Sequence, residues 1–360
     1  MRRLPLLLPV AICAALLTGL QLALSAAGLQ SYLNEAIIAA YHAIVVLGLC
    51  LLMGYAGQIS LGHGAFFALG GYTSAVLTTA PLSAARDSGW VRGLRLAGAL
   101  VEREDLYGAQ ILTVAPGAAF LAALLLTLAV ALLIGYPALR LRGHYLAMAT
   151  LGFGLIVYRL LLGTDWTGSA DGISNVPPWH LGCGLTVSGR PAYRVQNFYI
   201  AWGLCLLTLA LLLRLAHSRI GRALRAIHEH EAAADAMGIP TAALKLRVFV
   251  LSALLAAGAG SLLTHYHRGI YPSAADATQS VRYVALVAAG GMANLWGALL
   301  VSATLNFLSL RGVFGSYDHA VFGALLILIV SLAPQGPFQP LAERLARRRR
   351  ARKEAAHGAA

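Results

Sequence analysis

The sequence predicts an all-α integral membrane protein, a polytopic helical bundle of about eight to ten transmembrane helices with broken or re-entrant elements. Three observations point there. Hydrophobic residues make up 59% of the 360 and charged residues 11%, with a mean hydropathy of +0.72, whereas soluble domains carry about a quarter charged residues. Apolar segments long enough to cross or partly cross a bilayer recur about ten times. The net charge of +13, from 27 Lys and Arg against 14 Asp and Glu, gathers on one side of the resulting topology. This composition excludes a soluble enzyme, a disordered chain and a collagen-like fibre. No soluble basic domain and no aromatic-interleaved basic surface is present, so nucleic acid is not an expected partner.

The segments run in order. Leu4–Leu24 follows Arg2 and Arg3 and is longer than a signal-peptide core, so it reads as a retained first helix. Further spans fall near Ala36–Met53, Gln58–Ala80, Ile111–Leu139, Tyr145–Leu162, Phe198–Leu215, Val248–Tyr266, Val281–Ala293, Leu295–Leu310 and His319–Leu332. Val281–Ala293 is short, and Gln58–Ala80 opens on a glycine-rich turn. Either can be a half-helix, so ten spans and eight spans plus a re-entrant pair both stand. Both counts put the termini on one side. With that side cytoplasmic, the inner segments hold Arg2, Arg3, Arg140, Arg142, six basic residues in 214–247 and seven in 341–360. The outer segments are nearly neutral, as the positive-inside rule requires. Residues 1–333 thus form one membrane domain with a cytosolic segment at about 216–247, and residues 334–360 form a basic cytosolic tail.

Outside the spans, Leu82–Gly108 and Gly163–Gln196 read as external loops, the second carrying Thr167-Gly168-Ser169-Ala170-Asp171-Gly172. In the cytosolic segment, Arg222–Met237 reads as one short helix with Leu224, Ile227 and Ala234 at helical spacing. Arg225 and Glu229 form an i,i+4 pair, and Gly238 before Ile239-Pro240 stops the helix. A helix too polar for lipid between two spans is a docking element.

The most informative stretch runs Gly54-Tyr55-Ala56-Gly57-Gln58-Ile59-Ser60-Leu61-Gly62-His63-Gly64 and on to Tyr72. Polar groups in a spanning region face a cavity or partner helices, and irregular backbone is tolerated there only when buried or lining a water-filled path. Gly57, Gln58, Ser60, Gly62, His63 and Gly64 are therefore candidates for a translocation path or gate. The plainer reading is glycine-mediated helix packing with locally satisfied side chains. A second cluster, Gly290-Gly291-Met292-Ala293-Asn294-Leu295-Trp296-Gly297, adds Asn294, and interrupted helices in two halves of a chain are a transporter feature.

No catalytic pair, metal triad or cofactor site is expected. His228-Glu229-His230-Glu231 lacks HExxH spacing, and alternate helix positions do not share a face. Interfacial placement accounts for His265 and His267 around Tyr266. No GxSxG and no GxxxxGK[ST] occurs, so any ATP is bound by another chain. Cys13, Cys50, Cys183 and Cys205 form neither a disulfide framework nor a metal site.

On these residues the chain resembles the membrane subunits of branched-chain amino-acid ABC importers, in particular the M-type partner of the paired permeases. Gly54–Tyr72 resembles the family signature. Arg140–Tyr145 resembles its basic turn, Thr167–Gly172 its external loop, and Ile220–Ile239 its coupling segment, with Glu231-Ala232-Ala233 and Gly238 similar to the EAA…G pattern. The resemblance implies an ABC importer permease fold and a pore-forming half-transporter in a bacterial inner membrane, with both termini cytoplasmic. It implies a second related permease, two cytosolic ATPase subunits and a periplasmic solute-binding protein as partners. Arg222, Arg225, Glu229, Glu231, Ala232, Asp235 and Gly238 would then meet the ATPase, and Thr167, Gly168, Asp171 and Gly172 would shape the external loop. Two competing functions stay open: an ABC permease for urea or short amides, and an ion-coupled secondary transporter, which the lack of an acid deep within a span disfavours. An intramembrane enzyme lacks a paired nucleophile and base.

Overall fold

The computed structural model describes residues 8–81, 95, 98–104, 110–138, 144–182, 184–313 and 315–332. The Arg140–Gly143 turn, the tail 334–360 and most of the loop 82–108 lie outside the described residues.

Ten helices match the ten apolar segments: α1 (Leu8–Ala26), α2 (Ser31–Cys50), α3 (His63–Thr79), α4 (Pro116–Ala138), α5 (His144–Gly163), α6 (Arg194–His217), and, after two short helices described below, α9 (Thr241–His267), α10 (Ala277–Gly290), α11 (Leu295–Leu310) and α12 (Asp318–Leu332). Six of the described helices are long and apolar enough to cross a membrane: α1, α2 with its extension to Tyr55, α4, α5, α6 and α9. The two segments suspected of being interrupted are so. A wide π-turn at Leu51–Tyr55 and an irregular stretch separate α2 from α3, and α10 has 14 residues.

Burial ranks the helices. The apolar window of α2 is 94% buried and that of α1 is 6% buried. α2 is apolar around its whole circumference, as a helix at the centre of a bundle must be. α6, α9 and α11 pack around it, while α1, α4 and α5 present exposed leucines. α3 lies along α9 in the same direction, and small residues bring the two backbones together. A Cβ on Gly70 would meet the carbonyl of Ala257, and one on Gly260 would meet the carbonyl of Phe67. Such close approach gives helices in lipid the dispersion contact that water-driven burial does not supply there.

Two findings differ from the sequence reading, at 111–114 and in the helical loop. Beside the predicted helical bundle, two-stranded ribbons pair β1 (Leu100–Glu104) with β2 (Gln110–Val114), β3 (Ile173–Ser174) with β6 (Gly269–Ile270), and β4 (Trp179–Gly182) with β5 (Leu185–Val187). Ile111–Val114 is therefore strand rather than span, and α4 starts at Pro116, whose missing N–H costs nothing at a first turn. The helix predicted over Arg222–Met237 is two, α7 (Arg219–Glu229) and α8 (Glu231–Ala236), broken at the extended His230 (φ −151°, ψ 95°). The break folds α8 back over the start of α9, where Glu231 pairs with Lys245 and Thr241 Oγ1 donates to Asp235 Oδ1 at 3.4 Å. His265, in the last turn of α9, is fully buried in the protein: its Nδ1 donates to the Pro177 carbonyl at 2.8 Å, and its Nε2 lies 2.9 Å from Ser74 Oγ.

Candidate functional site

The bundle has two unlike ends. One carries the helical loop of α7 and α8; the other carries the ribbons β3–β6 and β4–β5. Between them α3 and α9 share a polar contact: Ser60 Oγ lies 3.2 Å from His63 Nδ1, and Ser252 Oγ lies 2.7 Å from Nε2. Each hydroxyl can donate or accept, so both ring nitrogens of the buried imidazole have a partner. Ser252 is eleven residues along α9 from Thr241, which puts the contact about 16 Å above the helical-loop end. That is near the middle of a hydrocarbon layer of about 30 Å.

The signature stretch thus does not lie at one depth. It rises from the helical-loop end at Gly54 and Gly57 to mid-bundle at His63. Gly57 has φ +66°, and a Cβ there would sit 2.8 Å from His228 Nδ1 of α7. A Cβ on Gly54 would meet the Met292 carbonyl, and Cys50 Sγ donates to that same carbonyl at 3.3 Å. The two glycine clusters named from the sequence therefore touch each other and the helical loop. Gly62 faces the Thr150 carbonyl of α5 (2.9 Å from its notional Cβ), and Gly64 N–H donates to Ser280 Oγ at 3.1 Å, joining α3 to α10. Gln58 is buried, and neither its Oε1 nor its Nε2 has a partner among the described residues. Asn294 has a local role: its Oδ1 accepts from Gly297 N–H at 3.2 Å and caps α11.

In the helical loop, Arg222, Arg225, His228, Glu229, Ala232 and Asp235 are exposed, while Leu224, Ile227 and Ala234 face the bundle. No ion pair joins Arg225 to Glu229 among the described residues. Gly238, at φ +80°, ends α8, and Ile239 N–H donates back to the Ala234 carbonyl at 3.1 Å.

At the opposite end lies a polar chamber of about 600 Å³. Its walls come from α2 (His42), α3 (Phe67), the end of α9 (Leu263, Thr264, His267, Arg268), β6, Ser174 and Asn175, and the descending segment from Tyr271 to Tyr283. His42 Nδ1 and Tyr283 Oη are 2.9 Å apart across it. Phe67 lies one helical turn beyond His63, so the chamber floor sits directly above the mid-bundle contact. The Thr167–Gly172 motif lies beside the chamber, against its wall residue Ile270. Thr167 is buried and its Oγ1 donates to the Leu161 carbonyl at 2.8 Å. Gly168 (φ +78°) and Gly172 (φ +65°) fold the loop so that Gly172 abuts Ile270. Asp171 is exposed and outside the chamber wall.

Sequence reasoning missed His42, Arg268, Gln279 and Tyr283. Each is one polar residue in an otherwise apolar or loop-like run, and only the fold brings them together. It also missed Arg282 on α10, whose Nη2 donates to Asn306 Oδ1 (3.0 Å) and Ser309 Oγ (2.8 Å) and whose Nη1 lies 3.5 Å from Asp318 Oδ2. That set pins α10 to α11 and α12.

Apolar helices around a polar chamber, with two interrupted helices meeting at mid-depth and an exposed helical loop at the far end, define a multi-pass membrane permease. The comparisons refine this. The chain belongs to the family described as branched-chain amino acid transport system / permease component, which matches residues 31–330. It is 32% identical over 316 residues to the high-affinity branched-chain amino acid transport system permease protein LivM of Escherichia coli, covering 82% of this chain and 67% of the relative. It is 26% identical to LivH of the same organism over 317 residues, covering 86% and 94%, and 26% identical to BraD of Pseudomonas aeruginosa over 314 residues. No solved structure matches the chain.

Proposed function

We propose that this chain is one membrane half of an ATP-driven importer that carries branched-chain amino acids, the solutes named for its relatives, into the cytoplasm by alternating access. The observation that carries the reading is continuity. The polar chamber at the ribbon end sits on the Ser60–His63–Ser252 contact, and the same stretch of chain continues to Gly57, which rests on the exposed helical loop. In this reading the ribbon end is external and receives solute from a binding protein. The α7–α8 loop is cytosolic and seats in an ATPase subunit, with Arg222, Arg225, Glu229, Ala232 and Asp235 on the docking face and Glu231 and Gly238 holding its shape. Both termini are then cytoplasmic. A second, related permease completes the path, and each permease engages one of two ATPase subunits. Nucleotide-driven closure shifts α7, and the Gly57 contact passes that shift to the gate at Gly62–Gly64. This chain binds no nucleotide and breaks no covalent bond; it converts rigid-body movement into access.

Affinity purification of tagged protein from native membranes under mild extraction tests this. Two ATPase subunits and a second permease should co-purify, and proteoliposomes of the assembly with its binding protein should take up leucine on addition of ATP. A clean monomer or homodimer, or uptake of urea in place of leucine, would overturn the reading.

A further inference from the structure

The chamber has an electrostatic character that neither the family nor the proposed function assigns. Among the described residues its wall contains one arginine and two histidines and no carboxylate. The arginine, Arg268, is held in a conformation that costs energy. It ends α9 in the left-handed region (φ 60°, ψ 26°), where a residue with a Cβ is uncommon. Its backbone is fully used: its N–H donates to the Thr264 carbonyl, and its carbonyl accepts from Val176 N–H at 3.1 Å. Its side chain is not. Nε is buried and has no hydrogen-bond partner, and no carboxylate pairs with the guanidinium among the described residues. By contrast, Lys245 of α9 is paired with Glu231 and Arg282 of α10 with Asp318.

A cation with a buried donor and no internal counter-charge, beside a solute-sized polar space, is arranged for an anion that comes and goes. The geometry of guanidinium fits a carboxylate, which it can bind through two parallel N–H donors. A second feature has the same sign. Gln279 lines the chamber from the first turn of the 14-residue helix α10, whose N-terminal end carries partial positive charge. Asp276, the N-cap residue of that helix, is not in the wall. Apolar surface from Phe67, Leu263 and Ile270 lines the same space. A carboxylate at one place and aliphatic contact at another match an apolar α-amino acid and do not match urea or a short amide.

We propose that Arg268 holds the carboxylate of the solute in the external chamber and makes the permease selective for solutes with a free carboxylate. This rests on the chamber being part of the transport path. The role is one of specificity, and it operates after release from the binding protein, as a second check on the solute.

The test uses the complete permease–ATPase assembly without its binding protein, so that only the membrane part reports. Binding of radiolabelled leucine is measured with unlabelled leucine or leucinol, which lacks the carboxylate, as competitor. The wild-type assembly should prefer leucine at least ten-fold. Arg268→Gln should lose that preference while leucinol competition is unchanged, and Arg268→Lys should keep part of it, since charge remains and the fork does not. Retained preference in R268Q overturns the role of Arg268 and leaves the permease reading intact. A wild-type assembly that ignores leucine and takes urea overturns both. Should R268Q fail to assemble with its ATPase, R268K decides: wild-type discrimination in that variant, at equal competition by leucinol, overturns the fork.

Discussion

A single residue, Gly57, links the signature stretch to the helical loop. Its positive φ costs any other L-residue roughly 1–2 kcal/mol, and a Cβ would press on the His228 ring. Gly57→Ala should therefore leave the protein folded and associated with its ATPase but cut leucine uptake per ATP hydrolysed at least five-fold in proteoliposomes. Adding His228→Ala removes the clash and should recover part of the loss; a double variant no better than the single would show that the contact does not transmit movement. The importance of Gly57 was legible in the sequence, because glycine between polar residues in an apolar run has few other uses. Its partner was not. His228 read as half of a false metal motif, and nothing local says that an exposed histidine packs 171 positions away in the chain. Asn294 shows a second role that the sequence did not reveal: its Oδ1 caps α11.

Among the elements, α3 and α9 are locked by backbone approach at Gly70 and Gly260 rather than by interdigitating side chains. Gly260→Ala should lower the melting temperature of the detergent-purified protein by roughly 5 °C, the scale of a small overpacking penalty. Gly152→Ala, where a Cβ meets nothing within 4 Å, serves as the control and should be neutral or slightly stabilising, since alanine is the better helix former. Equal melting temperatures would mean that the two helices are free to separate. Element existence was largely readable, because ten apolar runs can only be helices in lipid. The errors came where that constraint ends. The strands at the ribbon end and the break at His230 depend on contacts to α9 and to the segment after it, which a local pattern does not contain.

At the scale of the whole molecule, the asymmetry of charge and the asymmetry of the two ends agree. The exposed basic residues Arg222 and Arg225 stand on the loop, while the chamber occupies the other end. Charge reversal of both should leave the permease in the membrane with its related partner but reduce ATPase co-purification several-fold; unchanged recovery would remove these residues from the docking face. The chamber itself was invisible in the sequence, since its polar lining is contributed one residue at a time by five separated segments. One geometric fact then takes on another meaning. α9 begins three residues after Gly238 in the helical loop and ends at Arg268 in the chamber wall, and α3 packs closely along it. The pair is about 40 Å long, with His63 and Ser252 in contact about 16 Å from its loop end, and in the proposed importer it would rock about that contact. A tilt of roughly 10° moves the loop end by about 3 Å and swings Arg268 by about 4 Å the other way. If the proposed importer rocks in this way when its ATPase closes, the guanidinium would move off the carboxylate proposed to sit on it, and release of the solute would need no separate trigger.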